Sequence, residues 1–295
     1  MKRNLEDKVF SIISGICLII LCIVTIYPFL HVLAISLNNA SDSAIGGIYI
    51  WPRKLSLDSY YTVFNYANLT NAFLVSVLRT VIGTVLAVFC TSMLAYALTK
   101  KYLIGYKYIY GMFIFTMFIG AGLIPTFMLY KTIHIFNTFW VYLLPGLVGT
   151  FNMILFRTFF MQLPSSMEES AFIDGANEFQ IFIKIILPLS TPILATIGLF
   201  ISVGQWNGWQ DTLYFTSNPN LETLQFLLMK IIRQAEASQM VDAARASLAR
   251  KGIISITPES IKMTITIVAT VPILCVYPFL QRYFVKGMMI GAVKG

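Results

Sequence analysis

Apolar residues in this chain do not alternate with polar ones; they come in long runs. Six stretches reach the roughly 20 largely apolar residues that carry a helix across bilayer hydrocarbon: 12–37, 72–98, 108–130, 139–161, 189–211 and 263–284. Polar segments separate them. Three are long: 38–71, then 164–188, which reads as a pair of short helices, and 212–262. The pattern predicts an all-α membrane protein with six transmembrane helices in a single domain over 1–295. Pro28 lies in the first run, and Pro272 and Pro278 in the last. Such prolines are tolerated where neighbours satisfy the freed carbonyls.

Composition supports this. The chain is 57% apolar and only 12% charged, with a mean hydropathy of +0.76, against roughly 25% charged residues in soluble domains. The net charge of +8 falls mostly in short loops between apolar runs, so it is read as orientation signal rather than as a nucleic-acid surface. Lys2, Arg3 and Lys8 precede the first run. Lys100, Lys101 and Lys107 follow the second, Arg157 and Lys184 flank the join of fourth and fifth, and Arg282, Lys286 and Lys294 follow the sixth. The opposite side carries Arg53, Lys54 and Lys131 in its first two loops. Both termini are therefore expected in the cytoplasm.

The outside segment 212–262 carries Lys230, Arg233, Arg245, Arg250, Lys251 and Lys262 against the trend, but long loops translocate with less regard to charge. Within it, 221–239 reads as an amphipathic helix and 240–250 as an Ala-rich charged run. The first outside loop holds Tyr49, Trp51, Tyr60, Tyr61 and Tyr66, residues that prefer the headgroup zone. The run 12–37 is longer than a signal-peptide core and no clean small-x-small cleavage site follows it, so it is read as a retained helix.

Several chemistries are disfavoured. The four cysteines, Cys17, Cys22, Cys90 and Cys275, all sit in apolar runs with no CxxC pair, which argues against a disulfide framework or zinc site. His31 and His134 are isolated, no HExxH motif occurs, and an intramembrane enzyme is remote. The spans carry almost no carboxylates, Asp211 standing at a helix end, so ion-coupled secondary transport or a channel ranks low. There is no GxxxxGK[ST] phosphate loop. Any nucleotide chemistry would lie on another chain.

The informative stretch is 164–188, PSSMEESAFIDGANEFQIFIKIILP. Ser165 or Ser166 can cap a helix beginning near Met167, with Glu168 and Glu169 in the first turn where the helix dipole favours them. Gly175 can break that helix, and a second short helix over 178–187 is expected to end at Pro188. Acidic residues pointing outward, with Phe172, Ile173, Phe179 and Phe182 free to enter a groove, would make this pair a docking element.

Glu169, Ala171, Gly175, Ile185, Leu187 and Pro188 match, at the right spacing, the E-A-A-x3-G-x9-I-x-L-P pattern of the EAA loop. Ser170 stands for the middle alanine. The segment thus resembles the cytoplasmic loop of bacterial ABC import permeases. Asp174-Gly175-Ala176 follows the form common in sugar permeases, and Trp51-Pro52 with Leu57-Asp58-Ser59-Tyr60 is similar to the first outer loop of the maltose-type branch. Gln205-Trp206-Asn207 resembles that branch's W-N element, and Gly291-Ala292-Val293-Lys294-Gly295 its tail. The long outer segment and the run 258–295 look most like polysaccharide and complex-oligosaccharide permeases of the YtcP and LplC type.

The resemblance implies a type I ABC importer permease fold with a cytoplasmic coupling helix, located in the bacterial cell membrane. It implies a second homologous permease, two copies of an ATPase subunit that hold the ATP and magnesium, and an extracytoplasmic solute-binding protein. This chain would carry no catalytic group, cofactor or metal. Glu168, Glu169, Ser170, Ala171, Asp174, Gly175, Ala176, Ile185, Leu187 and Pro188 would form the ATPase-coupling site, and Gly291, Lys294 and Gly295 an ATPase-contacting tail. Importers of amino acids, phosphate and peptides also carry such loops, so another solute class is the alternative.

A sugar path needs hydrogen-bonding groups and aromatic faces at membrane depth. Candidates are Arg79, Asn152, Gln205, Trp206, Asn207 and Trp209. Arg79 lies about 10 Å along its helix from Ala72 at 1.5 Å per residue, and either lines a water-filled path or snorkels outward. Asn152 either contributes to the path or bonds a neighbouring helix. Trp206 and Trp209 are equally readable as interfacial anchors.

Overall fold

The computed structural model describes residues 5–65, 68–239 and 257–292. Tyr66, the run 240–250, Lys294 and Gly295 therefore lie outside the described residues. The chain divides into two compact units, Met1–Leu69 with Leu228–Val271 and Thr70–Leu227 with Pro272–Gly295. The described residues are helical apart from connections and one isolated antiparallel bridge, Asn38 to Leu55.

The first unit opens with α1, Leu5–Ser36. Val9–Ser36 is long and apolar enough to cross a membrane, and its most apolar 18 residues are not buried by the rest of the chain. Such a surface is stable only against lipid or another apolar partner. A strap folds back after α1. Asn39 caps the single turn α2, Ala40–Ser43. Asn38 donates from Nδ2 to Asp42 (3.1 Å) and accepts the Lys54 N–H at Oδ1 (2.7 Å). Arg53 donates to Asp42 (3.0 Å) and to the Gly46 carbonyl (2.7 Å). The strap ends in α3, Asp58–Phe64, whose Tyr60 hydroxyl meets Ser36 Oγ at 2.9 Å. Ala34, Ile35 and Ile48 form a small core with Met263 against it. Tyr49, Trp51 and Tyr61 remain exposed.

The second unit begins in α4, Leu69–Ala97, which is also long and apolar enough to cross a membrane. Three of the expected continuous spans are broken. The stretch 108–130 is two helices, α5 (Tyr106–Phe118) and α6 (Leu123–Thr132). Ile119 is extended and Gly122 takes φ +78° between them, a conformation glycine adopts without a Cβ penalty.

The stretch 139–161 opens in two 3-10 turns, Phe139–Tyr142 and Leu144–Gly146, and bends by 46° into α7, Thr150–Phe160. The Thr91 hydroxyl of α4 supplies the break: it donates to the Leu147 carbonyl (3.0 Å) and accepts the Gly149 N–H (3.4 Å). Side chains satisfying freed backbone groups are what non-helical backbone at membrane depth requires.

Next come α8 (Ser165–Ile173), α9 (Glu178–Ile181), a π turn over Phe182–Ile186 and α10 (Leu187–Leu189). The direction then changes by 84° into α11, Thr191–Asn207. The expected span 189–211 stops at Gly208 and resumes as α12, Gln210–Phe215. The amphipathic helix expected over 221–239 is α13, Leu224–Gln239, with Leu224, Leu227 and Ile231 buried along one face. The chain closes in α14, Pro258–Ala292, with Pro272 and Pro278 inside it.

Among the described residues, two helices are both long and apolar enough to cross a membrane alone, and two bent pairs are if each pair is one span. The main core of the second unit gathers Ala95, Tyr96 and Leu98 after and within α4, Met153, Phe156 and Phe160 of α7, Ile197 of α11, and Ala171, Ile181, Phe182 and Ile186 from the stretch between α7 and α11.

Candidate functional site

That last group shows how the 164–188 stretch is built. Helix α8 starts at Ser165, with Pro164 in extended conformation before it and no side-chain cap. The expected serine cap is thus replaced by proline's fixed φ, which suits the entry to a helix. Gly175 takes φ +83°, and a Cβ there would meet nothing within 4 Å, so glycine is required by the backbone turn rather than by space. The Ala176 N–H closes the turn on the Ala171 carbonyl at 2.9 Å. A reciprocal capping box, Asn177 with Gln180, starts α9.

Pro188 does not end the second helix as expected. The preceding turn widens, Leu187 N–H reaching the Phe182 carbonyl, and the helix continues to Leu189. Widened turns of this kind are common at prolines and at functional sites. The corner falls instead at Ser190, which is fully buried.

The two helices present unequal faces. Ala171, Ile181, Phe182 and Ile186 are in the core. Phe182, expected to be free for docking, is instead 1% exposed and stacks on Tyr96 at 5.5 Å. Phe172, Ile173 and Phe179 are exposed, as is Glu169. Of the two glutamates only Glu169 faces outward, because Glu168 pairs with Lys100.

Lys100, just beyond the end of α4, stands at the centre of a polar cluster that has no local signal in the sequence. Its ammonium pairs with Glu168 of α8, lies 3.6 Å from Glu178 of α9, and sits 4.4 Å above the Tyr96 ring. The Tyr96 hydroxyl donates to Glu178 at 2.8 Å, and the Tyr102 hydroxyl donates to the other oxygen of that carboxylate. Beside the cluster a cavity of about 280 Å³ opens between Met93, Ala97, Leu103 and Phe179. Arg157 of α7 donates to the Leu98 carbonyl (2.9 Å) and covers the Tyr110 ring at 4.6 Å.

A second cluster forms around Arg79 in α4. Arg79 is 3% exposed. Nε donates to Gln205 Oε1 (2.8 Å), Nη1 to the Gly208 carbonyl (2.9 Å), and Nη2 pairs with Asp211. The Tyr142 ring lies 4.7 Å from Cζ. The Tyr142 hydroxyl donates to the Leu221 carbonyl (2.6 Å) and meets Thr212 Oγ1 at 3.0 Å, and Thr212 meets Thr223 at 3.1 Å. The Gln205 amide donates to the Tyr142 carbonyl at 3.3 Å. Thus Arg79 and Gln205 knit the breaks at Gly208 and in 139–161.

Trp206 is buried, edge-on to Phe73 at 6.1 Å. Asn207 is exposed and accepts from Gln225 (3.4 Å). Trp209 is half-buried at the start of α12, and Asn152 is half-buried beside Gly149. Gly291 lies in α14. No group of three potential metal ligands occurs among the described residues.

Comparison with known proteins gives a consistent picture. The family described as "Binding-protein-dependent transport system inner membrane component" matches residues 7–290. The chain is 36% identical over 292 residues to the polygalacturonan/rhamnogalacturonan transport system permease protein YtcP of Bacillus subtilis, covering 99% of this chain and 100% of that protein. It is also 36% identical to Protein LplC of the same organism over 296 residues, 100% of this chain and 98% of that one. Among solved structures, one chain of a bacterial ABC transporter involved in import of the acidic polysaccharide alginate superposes with a TM-score of 0.83. It is 26% identical, with coverage of 96% of this chain and 99% of that chain.

Proposed function

The chain belongs to the family of binding-protein-dependent transport system inner membrane components, and on that premise we propose that it is one permease half of an ATP-driven importer of oligosaccharide or polysaccharide fragments. The sugar class rests on the relatives, whose names specify polygalacturonan and rhamnogalacturonan and the acidic polysaccharide alginate. A second permease completes the path, two ATPase subunits drive it, and an extracytoplasmic binding protein delivers substrate. Six spans cross the membrane with both termini in the cytoplasm, the broken stretches counting as spans, and the breaks at 147–149 and 208 are bonded from within the protein.

The observation that carries this reading is the 164–188 stretch. One face is rooted in the core of the unit, while Glu169, Phe172, Ile173 and Phe179 are left exposed. A lever needs that combination of a rigid root and an unsatisfied outer edge. ATP closes the ATPase dimer, the dimer carries the seated loop with it, and the two permease halves rock between inward- and outward-facing states; hydrolysis resets the cycle. The tail at Gly291, Lys294 and Gly295 adds a second ATPase contact. In the path, Asn152, Asn207 and Trp209 supply hydrogen bonds and an aromatic face, and Arg79, Gln205 and Trp206 shape the wall from behind.

The test is purification of the tagged chain from its native membrane, with identification of co-purifying subunits and an ATPase assay repeated with Glu169→Lys. A second permease and an ATPase subunit should co-purify, and binding-protein-stimulated ATPase activity should fall at least tenfold in the variant. Transport by a lone chain without any ATPase subunit would overturn the reading.

A further inference from the structure

We propose that Lys100 is a positioning residue that clamps the two arms of the 164–188 loop to the end of α4 and so makes the loop and that helix move together. The proposal rests on the importer reading and concerns how motion passes inward from the loop.

The bend at Gly175 is closed by one backbone bond, Ala176 N–H to the Ala171 carbonyl at 2.9 Å, and Ala171 of α8 shares a core with Ile181 and Phe182 of the second arm. A single ammonium bridges the bend, pairing with Glu168 before it and standing 3.6 Å from Glu178 after it. That ammonium is only 12% exposed at its side chain and is held over the Tyr96 ring at 4.4 Å. Tyr96 belongs to α4 and is itself 5% exposed, wedged between Phe160 and Phe182. Its hydroxyl donates to the same Glu178 carboxylate at 2.8 Å. The ammonium, the ring and both carboxylates thus form one connected network whose anchor is a buried residue of the spanning helix.

The helix carries that anchor far. From Ala97 back to Arg79, α4 runs about 27 Å at 1.5 Å per residue, and Arg79 is bonded to the α11–α12 break at Gly208 and Asp211. A displacement of the loop that reaches Tyr96 therefore reaches the part of the unit where α11 is interrupted. Exposed Glu169, by contrast, faces away from the clamp. Docking and transmission are assigned to different glutamates one residue apart.

The separation gives the test. The complete transporter would be reconstituted with its binding protein and examined with Lys100→Met, Lys100→Arg and Glu168→Gln. Spin labels at Met167 and Ile183, both exposed, on opposite arms and outside the docking edge, report the angle at Gly175. Lys100→Met should retain the ATPase subunit on purification, broaden the label distance distribution, and lower substrate moved per ATP hydrolysed at least fivefold. Lys100→Arg should restore both, and Glu168→Gln should give an intermediate loss. An unchanged distance distribution together with wild-type transport per ATP in Lys100→Met and Glu168→Gln would overturn the clamp. Absence of any ATPase subunit from the wild-type preparation would overturn the importer reading instead. If Lys100→Met fails to assemble, Glu168→Gln, which keeps the cation and removes one charge, decides the matter by the same readouts.

Discussion

Arg79, about three turns into α4, and Lys100, just beyond its end, each have an aromatic ring beneath the cation and at least one carboxylate beside it, yet the two clusters are built for different duties. Arg79 is 3% exposed, and the bonds of its guanidinium go to elements of permanent architecture, namely Gln205 of α11, the carbonyl at the Gly208 break and Asp211 of α12. At Lys100 the cation is a flexible ammonium, and its carboxylate partners, 24% and 40% exposed at the side chain, sit on two arms of a loop. Arginine's planar fork suits several fixed acceptors at once, whereas lysine is a point charge on a mobile stem. The difference teaches where rigidity and adjustability lie along one helix.

The largest effect should come from removing the buried cation. Arg79→Met leaves the Gly208 carbonyl and Gln205 without their donor, while Asp211, 42% exposed at its side chain, can turn to water; leaving buried polar groups unpaired costs about 1–3 kcal/mol. Thermal unfolding of the purified transporter should show the loss. Arg79→Lys should recover only part of it, because an ammonium cannot reach Gln205, Gly208 and Asp211 in one geometry. If Lys substitutes fully, the two clusters are more alike than their burial implies.

Gly208→Ala tests the same cluster from the backbone side. Its Cβ would stand 2.5 Å from Arg79 Nη2 and 3.0 Å from Cζ. The guanidinium is a side-chain end but cannot swing aside without giving up its bonds. Overpacking of this kind costs about 1–3 kcal/mol, again read as a fall in unfolding temperature. A neutral result would mean that the cluster gives way more easily than its bonding suggests.

Lys100→Met should differ in kind. Partly exposed ion pairs contribute on the order of 1 kcal/mol or less, so its unfolding temperature should stay close to wild type while transport per ATP falls. A large drop in stability would erase the contrast and make Lys100 another structural knot.

These clusters also mark where the sequence stops being legible. The two-helix form of 164–188, its glycine bend and the amphipathic face of α13 were readable because each is set by residues within about one or two turns of one another. The breaks at 119–122, 147–149 and 208–209 were not: hydropathy counts apolar residues and takes no account of Gly122, Pro145 or Gly208 among them. Proline entry at Pro164 and helix continuation through Pro188 depended on the φ of one residue and a single widened turn. Lys100 with Glu168, and Arg79 with Asp211, join residues 68 and 132 positions apart, and such pairings arise only from the packing of helices. Lys100 was legible as one of the loop cations behind the expected orientation and no further. Phe182 was legible as apolar, but its burial under Tyr96 was not.

The smallest expected effect comes from a third ion pair, which inverts the first. In the strap after α1 the arginine, Arg53, has 44% of its side chain exposed and Asp42 only 10%, whereas Arg79 and Asp211 stand at 4% and 42%. Burying the carboxylate rather than the guanidinium makes burial part of the titration. Burial pushes the Asp42 carboxyl up, but hydrogen bonds from Asn38 and Arg53 and the charges of Arg53 and Lys54 outweigh it, leaving the pKa below the ordinary value of 3.8. A carboxyl depressed by folding stabilises fully above its unfolded pKa and loses that contribution as pH falls through the folded one. The strap should therefore hold down to about pH 4, near the unperturbed aspartate value, and loosen only in stronger acid. Hydrogen exchange at the Lys54 amide, which donates to Asn38, reads this directly. Asp42→Asn should weaken protection at neutral pH and flatten its acid dependence. Loosening of the wild-type strap already well above pH 4 would mean that desolvation wins over Arg53 and Asn38, and that a buried carboxylate here is governed by burial rather than by its partners.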